Sequence, residues 1–130
     1  MLSREMDSIA CFKTGVEDLD KHLRQPIASD EIVEVCGASG SGKTYLCLKM
    51  ASLALLDNNI AVIYIDTTNY LNHENMSLVL SNFITETTDQ NMRAKRVQQA
   101  LSRLRVIKVF ALEELFLLLS MILTQIKRRQ

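Results

Sequence analysis

The stretch EVCGASGSGKTYL, Glu34 to Leu46, packs three of the chain's four glycines into six residues and follows them with a lysine and a threonine. Gly37-Ala38-Ser39-Gly40-Ser41-Gly42-Lys43-Thr44 fits G-x-x-x-x-G-K-[ST], the phosphate-cradling loop. Glycines permit backbone angles that side chains forbid and let peptide N–H groups approach a ligand closely. Successive N–H groups in one concavity bind anions, and a helix starting there adds its positive end. Lys43 supplies a point charge for the β- and γ-phosphates of ATP. The Thr44 hydroxyl is the ligand expected for Mg2+. A chance glycine-rich turn is the bland alternative. A complete motif in its strand–loop–helix setting outweighs it.

That setting is read outward from the loop. Upstream, EIVEVC (Glu31 to Cys36) is β-branched at Ile32, Val33 and Val35 and predicts a strand ending at Gly37. Downstream, Lys43 to Leu56 predicts a helix with Leu46, Met50, Leu53 and Ala54 on one face. Asp57 to Asn59 is its exit loop. The run IAVIYI, Ile60 to Ile65, suits a strand covered on both faces of a parallel sheet. Helices are predicted over Asn72 to Ile84, on Met76, Val79, Leu80 and Phe83, and from an Asp89 N-cap to Leu101. LRVIKVF, Leu104 to Phe110, is a third strand. A helix opening on Glu113 and Glu114 ends in Lys127, Arg128 and Arg129, matching the helix dipole. Near the start, Thr14 and Glu17 have capping-box spacing ahead of Val16, Leu19 and Leu23, and Pro26 closes that short helix. Alternating strands and helices imply an α/β fold with parallel β-α-β units.

Composition narrows the function classes. The 130 residues suffice for one modest domain, and 48% hydrophobic content argues against disorder. Fifteen basic residues balance fifteen acidic ones, so no net charge draws the whole chain to nucleic acid or membrane. Cys11, Cys36 and Cys47 lack CxxC spacing, which disfavours a disulfide framework or a zinc site and predicts reduced, mostly buried thiols. The polar N-terminus carries no signal-peptide pattern. Leu115 to Leu123 is too short for a membrane span and reads as a buried helix.

KTGVEDLDKHL, EIVEVCGASGSGKT, VIYIDTT and LRVIKVFALEELFLLL, in this order, resemble the ATPase core of RecA-like strand-exchange recombinases. The likeness is nearest to the eukaryotic recombinase paralogues, their D-type branch in particular, and runs from about Lys13 to Ile126. Thr14, Gly15, Leu19 and Asp20, with Tyr64 to Thr67, make it more specific than the phosphate loop alone. The resemblance implies a P-loop NTPase, RecA-like core with a parallel sheet flanked by helices. Residues 1–13 form a lead-in and 14–130 a partial ATP-binding core. It implies ATP and Mg2+ as cofactors and other recombinase paralogues as partners. DNA is reached through their complex, and no membrane is involved. It further implies a nuclear location and a role in homologous recombination and DNA double-strand-break repair.

Departures from the family pattern set further expectations. Active members carry a glutamate after the second strand to orient the attacking water; the matching position here is Thr68, a poor general base. ATP hydrolysis is therefore expected to be weak or absent, and no catalytic residue is assigned. Glu74 is the nearest downstream carboxylate and reads as a solvated helix face. The Walker B strand should follow the last helix, so the chain is read as truncated before it, a fragment or short isoform. RQPIASDE, Arg24 to Glu31, stands where relatives carry glycines, so the approach to the first strand is expected to differ.

Other readings stay open at this level. The chain could be a DNA-dependent ATPase, or a small P-loop kinase with Asp66 as Walker B carboxylate; in the recombinase reading, which is preferred, Asp66 is structural at the strand terminus. Arg93, Lys95 and Arg96 are expected on the solvated side of a helix that buries Met92 and Val97. His22 and His73 have no partners at metal or triad spacing and are assigned to the surface. Tyr45 either packs near a nucleotide or against the sheet.

Overall fold

The computed structural model describes residues 11–56, 60–85 and 87–129, leaving the Asp57–Asn59 loop outside them. The elements in chain order are β1 (Cys11–Phe12), α1 (Glu17–Leu23), β2 (Ile27–Ala28), α2 (Lys43–Leu56), β3 (Val62–Asp66), α3 (His73–Phe83), α4 (Gln90–Ser102), β4 (Leu104–Lys108) and α5 (Leu112–Arg129). The α/β class with a parallel sheet and flanking helices is as expected. β3 and β4 pair in parallel from Val62↔Leu104 to Asp66↔Lys108, with α3 and α4 forming the crossover.

The core lies between α2, α3, α4 and one face of this sheet. Leu48, Leu55, Leu71, Met76, Leu80, Ile84, Val97 and Ala100 are buried together, with Val62, Tyr64, Leu104 and Val106 packed against them. β3 is covered on one side only: Ile63 points the other way and is half exposed, contrary to the two-sided burial expected.

α2 has the predicted bounds but the opposite buried face. Leu48, Ala51, Ser52 and Leu55 turn inward, whereas Leu53 is exposed and Leu46, Met50 and Ala54 only partly covered. Apolar residues surround this helix, so periodicity alone does not choose a side. Ser52 is tolerated inside because its hydroxyl donates to Leu48 O at 2.7 Å.

The largest departure concerns Glu31 to Cys36. It is extended-looking in sequence but joins no ladder among the described residues, and Ile32, Val33 and Val35 are exposed. A strand exists only through a neighbour's hydrogen bonds, and none of the described strands lies beside it. The expected three-stranded sheet is therefore a parallel pair plus a small antiparallel one, β1 with β2, in register Cys11↔Ala28 and Phe12↔Ile27. Within RQPIASDE, Glu31 belongs to a turn: its N–H donates to Ala28 O, and its carboxylate accepts from Ala28 N at 3.0 Å.

The helix termini follow local chemistry. α3 starts with a reciprocal box in which Asn75 N donates to Asn72 Oδ1 at 2.9 Å and Asn72 N to Asn75 Oδ1 at 2.7 Å. Asp89 caps α4 as expected, accepting from Asn91 N at 2.8 Å. Asn72→Ala should cost about 1 kcal/mol, the usual value of such a cap, read as a lower urea midpoint with unchanged slope.

At α1 the capping-box expectation fails. Glu17 forms an exposed ion pair with Lys21 at 2.8 Å instead. Arg96 departs from its expected solvated role: it donates across the fold to Leu56 O, and Arg103 likewise donates to Leu55 O, both among the last carbonyls of α2. They satisfy acceptors that a helix end leaves open. Met92, expected in the core, is exposed, whereas Val97 is buried. All three cysteines are exposed and free, correcting their assignment to the interior. His22, His73 and Glu74 lie on the surface, as expected.

Candidate functional site

The glycine loop occupies residues 37–42 and runs directly into α2. Gly40 and Gly42 adopt φ of 76° and 100°, which L side chains rarely reach. Gly37 packs close to Ser41: a Cβ there would meet Ser41 Oγ at 2.6 Å and oblige that hydroxyl to turn aside. The loop is pinned by Ser41 N donating to Ala38 O at 3.1 Å, and α2 starts with Leu46 N donating to Gly42 O at 2.9 Å.

Lys43 bends back over the loop, its Nζ donating to Gly37 O at 2.6 Å and Ala38 O at 2.8 Å. The N–H groups of Gly42, Lys43 and Thr44 have no partner among the described residues. An ammonium and unpaired amides at the positive end of a 14-residue helix form a donor set suited to an anion such as a phosphate. Adding side chains at the glycines would strain or fill this cradle, so the residues present fit a nucleotide's phosphates. Thr44 is exposed at its rim, with a hydroxyl oxygen available for Mg2+. Among the described residues no cluster of His, Cys, Asp and Glu forms a metal site of another kind.

Thr44 and Thr68 come together. With Tyr45, Leu48, Tyr70 and Val79 they line an open cleft of about 530 Å³ between the start of α2 and the loop after β3. Tyr45 is exposed at this cleft and does not pack on the sheet.

Asp66, at the end of β3, is buried, but its carboxylate is spoken for. Oδ1 accepts from Thr68 N and Thr68 Oγ1, both at 2.9 Å, and Oδ2 accepts from Leu71 N at 2.9 Å. Burial pushes its pKa up; the bonds from Leu71 and Thr68, together with Lys108, outweigh that and leave it below the ordinary aspartate value. It does not line the cleft with Thr44. Asp66 therefore shapes the loop that presents Thr68.

A second carboxylate, missed as a structural element in the sequence, organises the lead-in. Asp20 Oδ1 accepts from Thr14 N and Thr14 Oγ1, both at 2.8 Å, and Oδ2 accepts from Gly15 N at 3.2 Å. The backbone bond from Thr14 leads the effects that hold its pKa below the ordinary value. The T-G-x-x-x-L-D spacing is thus an aspartate clamp reaching back across one helical turn. Gly15, at φ 81°, sits where a Cβ would collide with Leu53 of α2, so the clamp fixes the lead-in against the helix that carries the phosphate loop.

Comparison with known proteins follows the same outline. A family profile described as "ATPase: KaiC" matches residues 12–95, from β1 into α4. The chain is 34% identical over 103 residues to bovine (Bos taurus) "DNA repair protein RAD51 homolog 4", covering 79% of this chain and 29% of that protein. The mouse (Mus musculus) protein of the same name is 30% identical over 115 residues, 88% of this chain and 32% of its own length. Human (Homo sapiens) "DNA repair protein RAD51 homolog 2" is 38% identical over 65 residues, 46% of this chain and 17% of that protein. The chain thus spans under a third of the length of these relatives. Among the described residues no helix is long and apolar enough to cross a membrane. The phosphate-loop helix, the parallel pair β3–β4 and the matched profile together show that the chain belongs to the KaiC-type, RecA-like ATPase family and is a homologue of the RAD51 paralogues.

Proposed function

We propose that the chain is an ATP-binding recombinase-paralogue core that acts within a complex of paralogues in the nucleus, supporting homologous recombination and repair of DNA double-strand breaks. Gly37 to Thr44 hold the phosphates, and Thr44 holds Mg2+. DNA is met through the complex. The observation that carries this reading is the loop itself, with Lys43 arched over carbonyls 37 and 38 and unpaired amides behind it.

Nucleotide acts here as a conformational ligand more than as a substrate. The residue facing Thr44 across the cleft is Thr68, whose neutral hydroxyl does not take a proton from water readily. That hydroxyl is moreover donated to Asp66. The kinase reading loses support for the same reason, since Asp66 spends both oxygens on its own loop.

Titration calorimetry with Mg·ATP on the folded chain tests the binding. Saturable heat is expected, and its absence would leave the family relationship without the chemistry. Steady-state turnover with and without single-stranded DNA tests the role. Release well below about 1 s⁻¹, at the bottom of the ordinary enzyme range, is expected in both conditions. Turnover in that ordinary range that vanishes in Lys43→Ala would instead establish the DNA-dependent ATPase.

A further inference from the structure

A second cavity, of about 450 Å³, opens between the start of α3, the end of α4 and β4. Its walls are Leu71, Met76, Leu101, Leu104 and Val106. Leu71 and Met76 belong to the buried core and the other three pack against it, so the cavity is an opening into the core itself. It shares the loop after β3 with the nucleotide cleft but no lining residue. All of its lining comes from residues 71–108, the crossover after β3 together with β4.

Polar groups gather at one end. β3 and β4 are parallel and Asp66 lies opposite Lys108, so the chain leaves both strands at the same edge of the sheet. Asn72 and His73, where α3 begins, and Lys108, the last residue of β4, form the mouth there. None of the lining residues is acidic. Lys108 Nζ donates to the neutral amide oxygen of Asn69 at 2.7 Å and forms no ion pair among the described residues. Asp66 feels its charge but spends both oxygens on Thr68 and Leu71. An ammonium has further N–H donors to offer.

We propose that this cavity binds a small amphipathic carboxylate, with its apolar body between α3, α4 and β4 and its carboxylate on Lys108. Apolar walls with a few convergent polar groups mark small-molecule sites, and the volume falls in their usual range of about 300–1,000 Å³. Hydrocarbon entering it exchanges water for apolar contacts. One ammonium matches one negative charge, whereas a doubly charged phosphate would leave charge without a partner. The site stands apart from the phosphate loop and does not rest on nucleotide binding.

Titration of the isotope-labelled whole chain with phenylbutyrate, followed by two-dimensional NMR, tests this. Saturable shifts are expected at the amides of Leu71, His73, Val106 and Lys108, with Gly40 and Gly42 unmoved. A Kd below about 1 mM is expected for a ligand of about twelve heavy atoms. Phenylbutanol, its neutral counterpart, should bind about tenfold more weakly for want of the charge-assisted contact, and phenylbutylamine more weakly again. Lys108→Gln should abolish the advantage of the acid and leave the affinity for the alcohol as it was. A variant that had only loosened the fold would weaken both. Should it fail to fold, the three probes on the wild-type chain still decide. No saturation, shifts at Gly40 and Gly42 in place of the cavity, or acid and alcohol binding alike would overturn the proposal.

Discussion

Lys43→Ala should weaken binding of a fluorescent ATP analogue about 100-fold, since a charge-assisted contact contributes about 1.5–3 kcal/mol and each 1.4 kcal/mol is tenfold. Two effects add in this variant. The point charge on the terminal phosphates is lost, and so are the two bonds by which Nζ holds the carbonyls of Gly37 and Ala38. Lys43→Arg separates them. It keeps the charge but presents a planar fork in place of a compact ammonium, so intermediate affinity is expected. Thermal stability should barely change in either variant, because the side chain bonds only an exposed loop. A polarisation titration gives the affinities, and undiminished affinity of Lys43→Ala would remove the cradle from the account.

Asp66→Ala should produce the largest loss of stability at a single position in the site, about 3 kcal/mol. It strands the buried N–H of Leu71 and the N–H of Thr68, and each lost bond to a charged acceptor costs about 1.5–3 kcal/mol before relaxation. Urea melts would report it as a fall in midpoint, and a loss under about 1 kcal/mol would mean that water replaces the carboxylate. The pH dependence has a definite sign. The folded-state pKa of Asp66 lies below its unfolded value, near 3.8, so its contribution is full above that value. It is lost as pH falls below about 4 and through the folded pKa. Asp20 has the same direction of shift and adds to the same acid limb. Asp66→Asn should therefore flatten the stability curve below pH 4 only in part, leaving the Asp20 share.

How much of this could be read from sequence depends on the range of the interactions. The loop, the bounds of α2 and the Asp89 cap were legible because each is set by residues within one or two turns of one another. The buried side of α2 was not, because Leu46, Met50, Leu53 and Ala54 are as apolar as the stripe that the core selects. The role of Glu31 to Cys36 was missed because β-branched composition states a preference, while pairing needs a neighbour. Arg96 reads as a solvated charge and Arg103 carries no assigned role; their acceptors, Leu56 O and Leu55 O, lie 40 and 48 positions away in the chain. Within the site, Thr68 follows from its place after the second strand, and Asp66 reads from the sequence as structural at the strand terminus, with a Walker B role as the alternative. What the sequence does not name is its partners: the bonds from Thr68 and Leu71 make Asp66 the frame of that loop.

The exposed sulfurs have a practical side. Cys36 adjoins Gly37, its Sγ donating to Glu34 at 3.2 Å, and Cys47 faces solvent on the first turns of α2, just past Thr44. The cradle is thus bracketed by two natural alkylation handles, and its occupancy can be followed by maleimide footprinting with mass-spectrometric readout, with no engineered label; Cys11, away from the loop, serves as the internal reference.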